Sequence, residues 1–355
     1  MSEIKPGLVV LLGSGETLPS SGKTHEYAAQ RLPQKPRIVV LETPAGFEPN
    51  SDVVAGKIKT YLERRLQNYK PAIDVLPARH RDTPFSPDDP KIAAPILKAD
   101  EILLGPGSPT YTVRQLRDSI TYQMITARQR RGGMLFLSSS APLSFSTYTL
   151  PVYEVYKVGQ DLFWIDGLDF LSSYGLNITF ISHWNNTDGG EELDTSRCYM
   201  GQDRFNLLRK MLPPDQTIVG IDENTSLIID FAQSCCFVRG HDTVTILRDG
   251  GTLIYETGNS FHMDKLGDWY IPDGHAGIPS QVWEKAIQAE EERQLELSAK
   301  PEPTAQVLDL LQAREEARQD KDWEKADLMR DQVEKLGWQI KDTPQGSQLE
   351  PLGND

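Results

Sequence analysis

The chain predicts an α/β fold: a doubly wound, mostly parallel sheet with an antiparallel extension, followed by a small C-terminal helical hairpin. Three observations carry this reading. Short apolar runs alternate with helix-length segments up to about residue 140. Beyond Asp222 the apolar runs crowd together, with turn signals between them. Beyond residue 303 the composition turns to charged, helix-forming residues in two segments. Alternation of buried strands with helices implies a parallel sheet covered on both faces.

Taken in order, residues 8–12 form an apolar run that reads as a buried strand, and 25–31 a short helix. Residues 37–41 are the second strand. Residues 51–67 place Val53, Val54, Ile58, Tyr61, Leu62 and Leu66 at three- and four-residue steps, an amphipathic helix with Ser51 as its cap. Residues 73–76 and 101–104 are further strands, 111–130 a helix, and 134–137 a strand that runs into Ser138-Ser139-Ser140-Ala141-Pro142. The stretch Asn177-Ile178-Thr179-Phe180-Ile181-Ser182-His183-Trp184 reads as a strand that ends on His183. Residues 226–230, 235–238, 244–248 and 252–256 are short strands, with Asp249-Gly250-Gly251 as a turn between two of them. A charged helix spans about 280–298. The expected divisions are an α/β domain over 1–275, a charged helix and Pro-containing linker over 276–303, a helical tail over 304–346 and a disordered end over 347–355.

At 355 residues the chain has room for about two domains, at roughly 150 residues each. Its net charge of −14 gives no general attraction to nucleic acid. No apolar run approaches the roughly 20 residues of a membrane span, and residues 1–6 lack a basic-then-apolar leader pattern, so a cytoplasmic protein with no membrane partner is expected. The three cysteines, Cys198, Cys235 and Cys236, are an odd set without a disulfide framework. No Cys/His spacing suggests zinc, and neither metal nor cofactor is expected.

In a parallel sheet, ligands bind beyond the carboxyl ends of the strands. Gly13, Gly105, Ser140 and His183 all fall at expected strand ends. A strand that stops at a serine and turns into a helix is how α/β hydrolytic folds raise a nucleophile above the sheet. On this reading Ser140 is the nucleophile. His183 ends a strand and precedes a polar turn, so it is the base.

The ordered runs Gly13-Ser14-Gly15-Glu16, Gly105-Pro106-Gly107-Ser108, Ser138-Ser139-Ser140-Ala141, Ser182-His183-Trp184 and Gly220-Ile221-Asp222-Glu223-Asn224-Thr225 resemble the serine peptidase family of aspartyl dipeptidases and cyanophycinases. The resemblance covers about residues 7–265 and implies a class I glutamine-amidotransferase-like fold. It implies Ser140 as nucleophile, His183 as base and Glu154 as the acidic third member, with Asp222 and Glu223 as alternatives. It also implies Gly107 and Ala141 as oxyanion donors, Ser108 in the pocket, and Arg197 and Arg204 as clamps for an acidic substrate group. The substrate would be a small peptide or aspartyl amide. Two departures stand out. The family's Gly-x-Ser-Ala-Gly is replaced by Ser138-Ser139-Ser140-Ala141-Pro142, and its Gly-Gly-Asn loop by Gly107-Ser108-Pro109. Each introduces a proline without an N–H. The alternative reading is therefore a ligand-binding protein that kept the fold and lost the chemistry.

The series Ala313-Arg314-Glu315-Glu316-Ala317-Arg318, Lys321-Asp322-Trp323, Ala326-Asp327, Arg330-Asp331 and Asp342-Thr343-Pro344-Gln345-Gly346 resembles the C-terminal end of cysteinyl-tRNA synthetases, over about residues 304–346. The catalytic signatures of those enzymes are absent from the sequence. The resemblance implies a tail that docks on tRNA or on a protein partner, and a homodimer is a further option. Trp323 and Trp338 are the expected anchors of the hairpin. Arg314, Arg318, Lys321, Lys325 and Arg330 are the expected phosphate-facing groups.

Overall fold

A computed structural model describes residues 4–298, 303–343 and 346–352. It divides into two compact units, Met1–Arg293 and Gln294–Asp355.

The first unit is built on an eight-stranded sheet. Its parallel strands are β1 (Val9–Leu12), β2 (Arg37–Leu41), β3 (Ala72–Leu76), β4 (Glu101–Leu104) and β5 (Met134–Ser138). A second sheet contains β6 (Ile178–Ile181) and β7 (Thr217–Ile221). The chain then adds β8 (Thr225–Asp230) and β9 (Cys235–Gly240) to the first sheet, β10 (Thr243–Arg248) and β11 (Gly251–Glu256) to the second, and β12 (Ser260–His262) to the first. The strand orders are β12-β9-β8-β1-β5-β4-β2-β3 and β11-β10-β7-β6. The parallel α/β sheet and its antiparallel extension are thus as expected. The extension is shared, however: β8 and β9 continue the main sheet, whereas β10 pairs with β7 and β11 with β10, in the sheet whose strand β6 precedes His183.

The strand runs are apolar on both faces because both faces are covered. Val9, Leu11, Leu135 and Leu137 enter one buried cluster, and Val10, Leu12, Met134 and Phe136 enter the other. The second sheet lends Ile178, Phe180, Val219 and Ile221 to the first cluster. Its opposite face, with Ile181, Ile218 and Leu247, packs against Trp184, Phe205 and Leu208. Non-polar burial on this scale contributes about 25 cal/mol per Å² and holds the strand ends in place.

The helices are α1 (Gly22–Ala29), α2 (Ser51–Arg65), α3 (Pro109–Leu116), α4 (Ile120–Arg130), α5 (Ser140–Ser144), α6 (Gly201–Arg209) and α7 (Ser280–Ser298). Ser51 does not cap α2 by its side chain; its hydroxyl donates to the buried Glu42 carboxylate at 2.9 Å. The helix expected over 111–130 is two helices. Asp118 adopts a left-handed φ of 58°, and Ser119 caps the second helix by accepting the Tyr122 N–H at 3.1 Å. The charged helix expected as part of a separate 276–303 segment belongs in its first part to this unit. Ala286 and Ala289 join the core, and the buried Arg293 guanidinium meets Asp100 at 2.6 Å. Among the described residues no helix is long and apolar enough to cross a membrane.

The second unit holds α8 (Ala305–Gln319), α9 (Trp323–Lys335), β13 (Trp338–Thr343) and β14 (Gly346–Pro351). Thr304 and Asp322 cap the two helices through the N–H groups of Val307 and Lys325. Residues 346–351, mostly within the expected disordered end, pair with β13 as a hairpin. The small core is Val307, Val333 and Trp338. Trp323, expected as an anchor, is instead 60% exposed. Of the expected linker, Lys300, Pro301 and Glu302 lie outside the described residues.

Candidate active site

β5 ends at Ser138, whose Cα is in register with Leu12 of β1. The next residue makes the turn. Ser139 has φ 56° and ψ −105°, a conformation that side-chain-bearing residues rarely adopt, and its N–H still donates to Leu12 O at 3.0 Å. α5 starts immediately after it. The strained residue at the strand-to-helix junction is therefore Ser139 and not Ser140.

The side chains follow this backbone. Ser139 Oγ lies 3.1 Å from His183 Nε2. Ser140, the expected nucleophile, is the first residue of α5, buried, with its hydroxyl turned to Gly105 O at 3.4 Å. Moving the elbow by one residue also changes what the prolines do. Pro142 becomes the third residue of α5 and Pro109 the first of α3, both within the first turn, where no intrahelical bond needs their missing N–H.

His183 follows β6 and has a left-handed φ of 51°. Its Nδ1 lies 2.7 Å from Glu223 Oε1. An ionised carboxylate only accepts, so Nδ1 carries the proton and Nε2 presents its lone pair to the Ser139 hydroxyl. The hydrogen bond from His183 and burial act in opposite directions on Glu223, and the hydrogen bond prevails, holding its pKa below the usual carboxylate range. The turn after His183 fixes Glu223 twice. Asn186 Nδ2 donates to Glu223 Oε1 at 2.9 Å, and the Glu223 N–H donates to Asn185 Oδ1 at 2.8 Å.

Glu154, expected as the third member, is elsewhere: its Oε1 accepts the Thr110 hydroxyl at 2.6 Å. Asp222, its alternative, accepts from the Thr243 N–H and hydroxyl at 3.0 and 2.6 Å, and burial raises its pKa. Gly220 explains the start of this run. The Trp184 indole lies against it, and a Cβ there would fall 2.2 Å from the ring.

Gly107, Ser139, Ser140 and His183 share a cavity of about 470 Å³ with Leu143, Val152, Tyr153, Tyr156, Lys157, Asp188 and Tyr199. Among the described residues the N–H groups of Gly107 and Ser140 have no protein acceptor. Gly107 packs on the turn after β2, where a Cβ would meet Pro44 O at 1.9 Å. Ala141, expected as an oxyanion donor, is fully buried one residue further into α5. Ser108 caps α3 by accepting the Tyr111 N–H at 3.2 Å and is not part of the cavity wall.

Arg197 and Arg204, the expected clamps, are spent on the protein itself. Arg197 stacks 3.9 Å over Trp184 and donates to its carbonyl at 2.8 Å. Arg204 donates to Met200 O and Tyr199 O at 2.6 and 2.8 Å. Arg197, Cys198 and Tyr199 are three successive residues with φ of 59°, 59° and 67°, and this left-handed run brings Tyr199 beside His183, with ring centres 5.9 Å apart. Burial pushes the Cys198 thiol up to about 12, so it stays protonated. Sequence reasoning did not single out Tyr199, Asn186 or Asp188. The polar turn after His183 was the available signal for the last two.

In the second unit, Arg314 is buried and forms a paired contact with Asp342 at 3.0 and 2.9 Å, so it does not face outward as expected. Arg318 also reaches Asp342 at 2.6 Å, and Arg330 pairs with Asp327 at 3.2 Å.

Residues 300–348 match the family described as the cysteinyl-tRNA ligase anticodon binding domain. Among solved structures, a peptidase from an acI-B1 Actinobacterium aligns with a TM-score of 0.59 at 21% identity, over 73% of this chain and 97% of that chain. A putative peptidase E protein from Listeria monocytogenes EGD-e aligns with a TM-score of 0.42 at 12% identity, over 71% and 100%. No curated protein matches the chain. The likeness to the first structure is one of fold.

Proposed function

We propose that the first unit is a serine-dependent amide hydrolase of the peptidase type, with Ser139 as nucleophile, His183 as general base and Glu223 as the group that orients the imidazole. The observation that carries this reading is the chain Ser139 Oγ–His183 Nε2–His183 Nδ1–Glu223 Oε1, at 3.1 and 2.7 Å, on a backbone strained at both Ser139 and His183. Strain of this kind concentrates where function requires a fixed geometry.

The steps follow from the geometry. Ser139 Oγ attacks the amide carbonyl while its proton passes to His183 Nε2. The resulting imidazolium is held by the Glu223 carboxylate. The oxyanion takes the free N–H groups of Ser140 and Gly107. His183 then returns the proton to the leaving amine as the C–N bond breaks. Water, deprotonated by the same nitrogen, releases the acyl group and restores the serine.

The finer reading is an amide next to an aspartyl residue. Lys157, a cavity-wall cation, supports it as the partner for a substrate carboxylate. The second unit, by its match over 300–348, supports an RNA partner, with the exposed Trp323 offered for stacking and the exposed Lys321 and Lys325 for phosphate. The test of the hydrolase reading is labelling with a serine-reactive fluorophosphonate and peptide mapping. Ser139 should carry the label, and Ser139→Ala should carry none. Labelling confined to Ser138 or Ser140, or no labelling, overturns the assignment.

A further inference from the structure

Among the described residues β11 is the outermost strand of the four-stranded sheet, paired only with β10. Its hairpin fixes which backbone groups look outward. Asp249 and Gly250 have φ of 52° and 74°, the two positive values that a type I′ turn requires. Arg248 and Gly251 flank that turn and exchange both N–H···O bonds. Bonded and unbonded pairs then alternate along an antiparallel ladder. Leu253 and Tyr255 bond inward to Ile246 and Val244, whereas the N–H and C=O groups of Thr252 and Ile254 point away from β10. The Thr257 N–H, which donates to Asp242 O at 2.9 Å, keeps the same alternation past the strand end. Glu256, the next outward-facing residue, is already closed. Its N–H donates to Asn259 Oδ1 at 3.1 Å, and its carbonyl accepts the Asn259 N–H at 3.0 Å. Among the described residues no protein group bonds to the outward groups of Thr252 and Ile254.

Native proteins blunt such an edge with lysine, proline, a bulge or a cover. Thr252-Leu253-Ile254-Tyr255 has no proline and no charge, and its register with β10 is unbroken. Leu253 is 42% exposed and Ile254 61%, one on each face of the sheet. The edge is also held in place, because the Tyr255 ring stacks 4.0 Å from Phe261 of β12. An open, ordered, apolar edge is a template for one more strand.

The pattern of the edge says which strand. In a two-fold antiparallel pairing centred on Leu253, Thr252 of each copy faces Ile254 of the other, and every outward group of both residues is paired. Leu253 meets its own counterpart, and Tyr255 falls opposite Gly251, which has no side chain to crowd the ring. Glu256 falls opposite Gly250, so no like charges meet, a condition that matters for two chains of net charge −14. A loose peptide could make the same bonds but would lose its chain entropy on ordering. A second copy presents a strand that is ordered before it binds.

We propose that β11 is the contact through which two copies of this chain associate, in the register centred on Leu253, so that their four-stranded sheets join into one. The inference is independent of the hydrolase reading.

The experiment uses the full chain. Sedimentation equilibrium should show the weight-average mass rising from one chain towards two over about 1–100 µM, the weak range expected of a small interface. Ile254→Pro removes an outward N–H that serves no bond within the chain, and Ile254→Lys puts a charge on the open edge. Both should keep the circular dichroism of the unmodified chain and hold the mass at one chain. Leu253→Cys tests the register. Facing residues of an unbonded pair lie about 4.5 Å apart at Cα, within reach of a disulfide, and diagonal neighbours about 7–8 Å apart, beyond it. Mild oxidation should therefore cross-link Leu253→Cys to itself well above the level of the unmodified chain, and should leave Thr252→Cys and Ile254→Cys at that level. A mass of one chain throughout the range overturns the proposal. So does a dimer that survives both Ile254 substitutions, or cross-linking confined to Thr252→Cys or Ile254→Cys.

Discussion

The two units handle charge differently, and the difference follows from size. The first unit buries apolar residues on both faces of its main sheet, which leaves Ser139, His183 and Glu223 to be held by turns at strand ends. Among the described residues the second unit has a small core, Val307, Val333 and Trp338 with Leu310, Ile340 and Leu349 packed against it, and it adds the Arg314–Asp342 pair, shared with Arg318, Glu315 and Ser347. A small unit exposes much of its chain and needs such reinforcement. Residues that read as outward-facing ligands in the sequence are therefore structural in both units, for different reasons. Arg314 replaces missing core, whereas Arg197 and Arg204 satisfy backbone carbonyls of a strained loop.

The largest effect that sharpens this contrast lies in the first unit. Ser139→Ala should lower kcat on a cleaved nitroanilide by about 10⁴- to 10⁶-fold, with the chain still folded by circular dichroism. Ser140→Ala removes only a long hydrogen bond to Gly105 and should cost less than about tenfold. Similar losses for the two would break the assignment of the elbow.

An intermediate effect concerns His25, which is buried, stacked 4.7 Å from Phe136 and placed with Nε2 2.9 Å from Glu16 O. Burial, the largest cause, lowers its pKa to about 4. The folded chain then binds fewer protons than the unfolded chain between about pH 6.5 and 4. Stability is full above that window and falls with pH through it, by about 3 kcal/mol at pH 4. Urea midpoints should show this slope, and His25→Gln should flatten it. A slope unchanged by the substitution would assign the loss to carboxylates instead.

The smallest effect tests the second unit. Asp342 is half exposed, so solvent screens its pairing; Asp342→Asn should cost that unit about 2 kcal/mol. Hydrogen bonds from Arg314 and Ser347 hold the Asp342 carboxyl far down, so its contribution is present above the ordinary carboxylate range and lost as pH falls. Hydrogen exchange localised to 305–351 should rise. Filter retention of tRNA should fall with it and should drop steeply with salt in the unmodified chain. A tRNA retention that ignores both the substitution and the salt would remove the RNA reading.

Much of the fold was legible because burial on two faces forces apolar runs, and capping residues such as Asp322 and Ser119 have local signatures. The register of the serine turn was not. Whether the strand ends at Ser138 or Ser139 is settled by pairing with Leu12, a contact 126 positions away that no local pattern encodes. The choice among Glu154, Asp222 and Glu223 depended likewise on distant partners: Asp222 and Glu223 follow one strand, yet the first turns to Thr243 and the second to His183. The left-handed run at 197–199 contains neither glycine nor Asn or Asp, the residues that adopt that geometry readily, so composition gave no warning of it.

Ser139 follows the end of a strand of the eight-stranded sheet, and His183 and Glu223 follow the ends of two strands of the four-stranded one. Neither sheet owns a complete site. A cut in the exposed loop at Val158–Gly159 would give one fragment with the nucleophile and another with the base and its carboxylate. Each would be inert by itself, and turnover would return only on their reassociation. On the proposed hydrolase reading, catalysis would be a property of the seam between the sheets, and a gauge of whether the seam has closed.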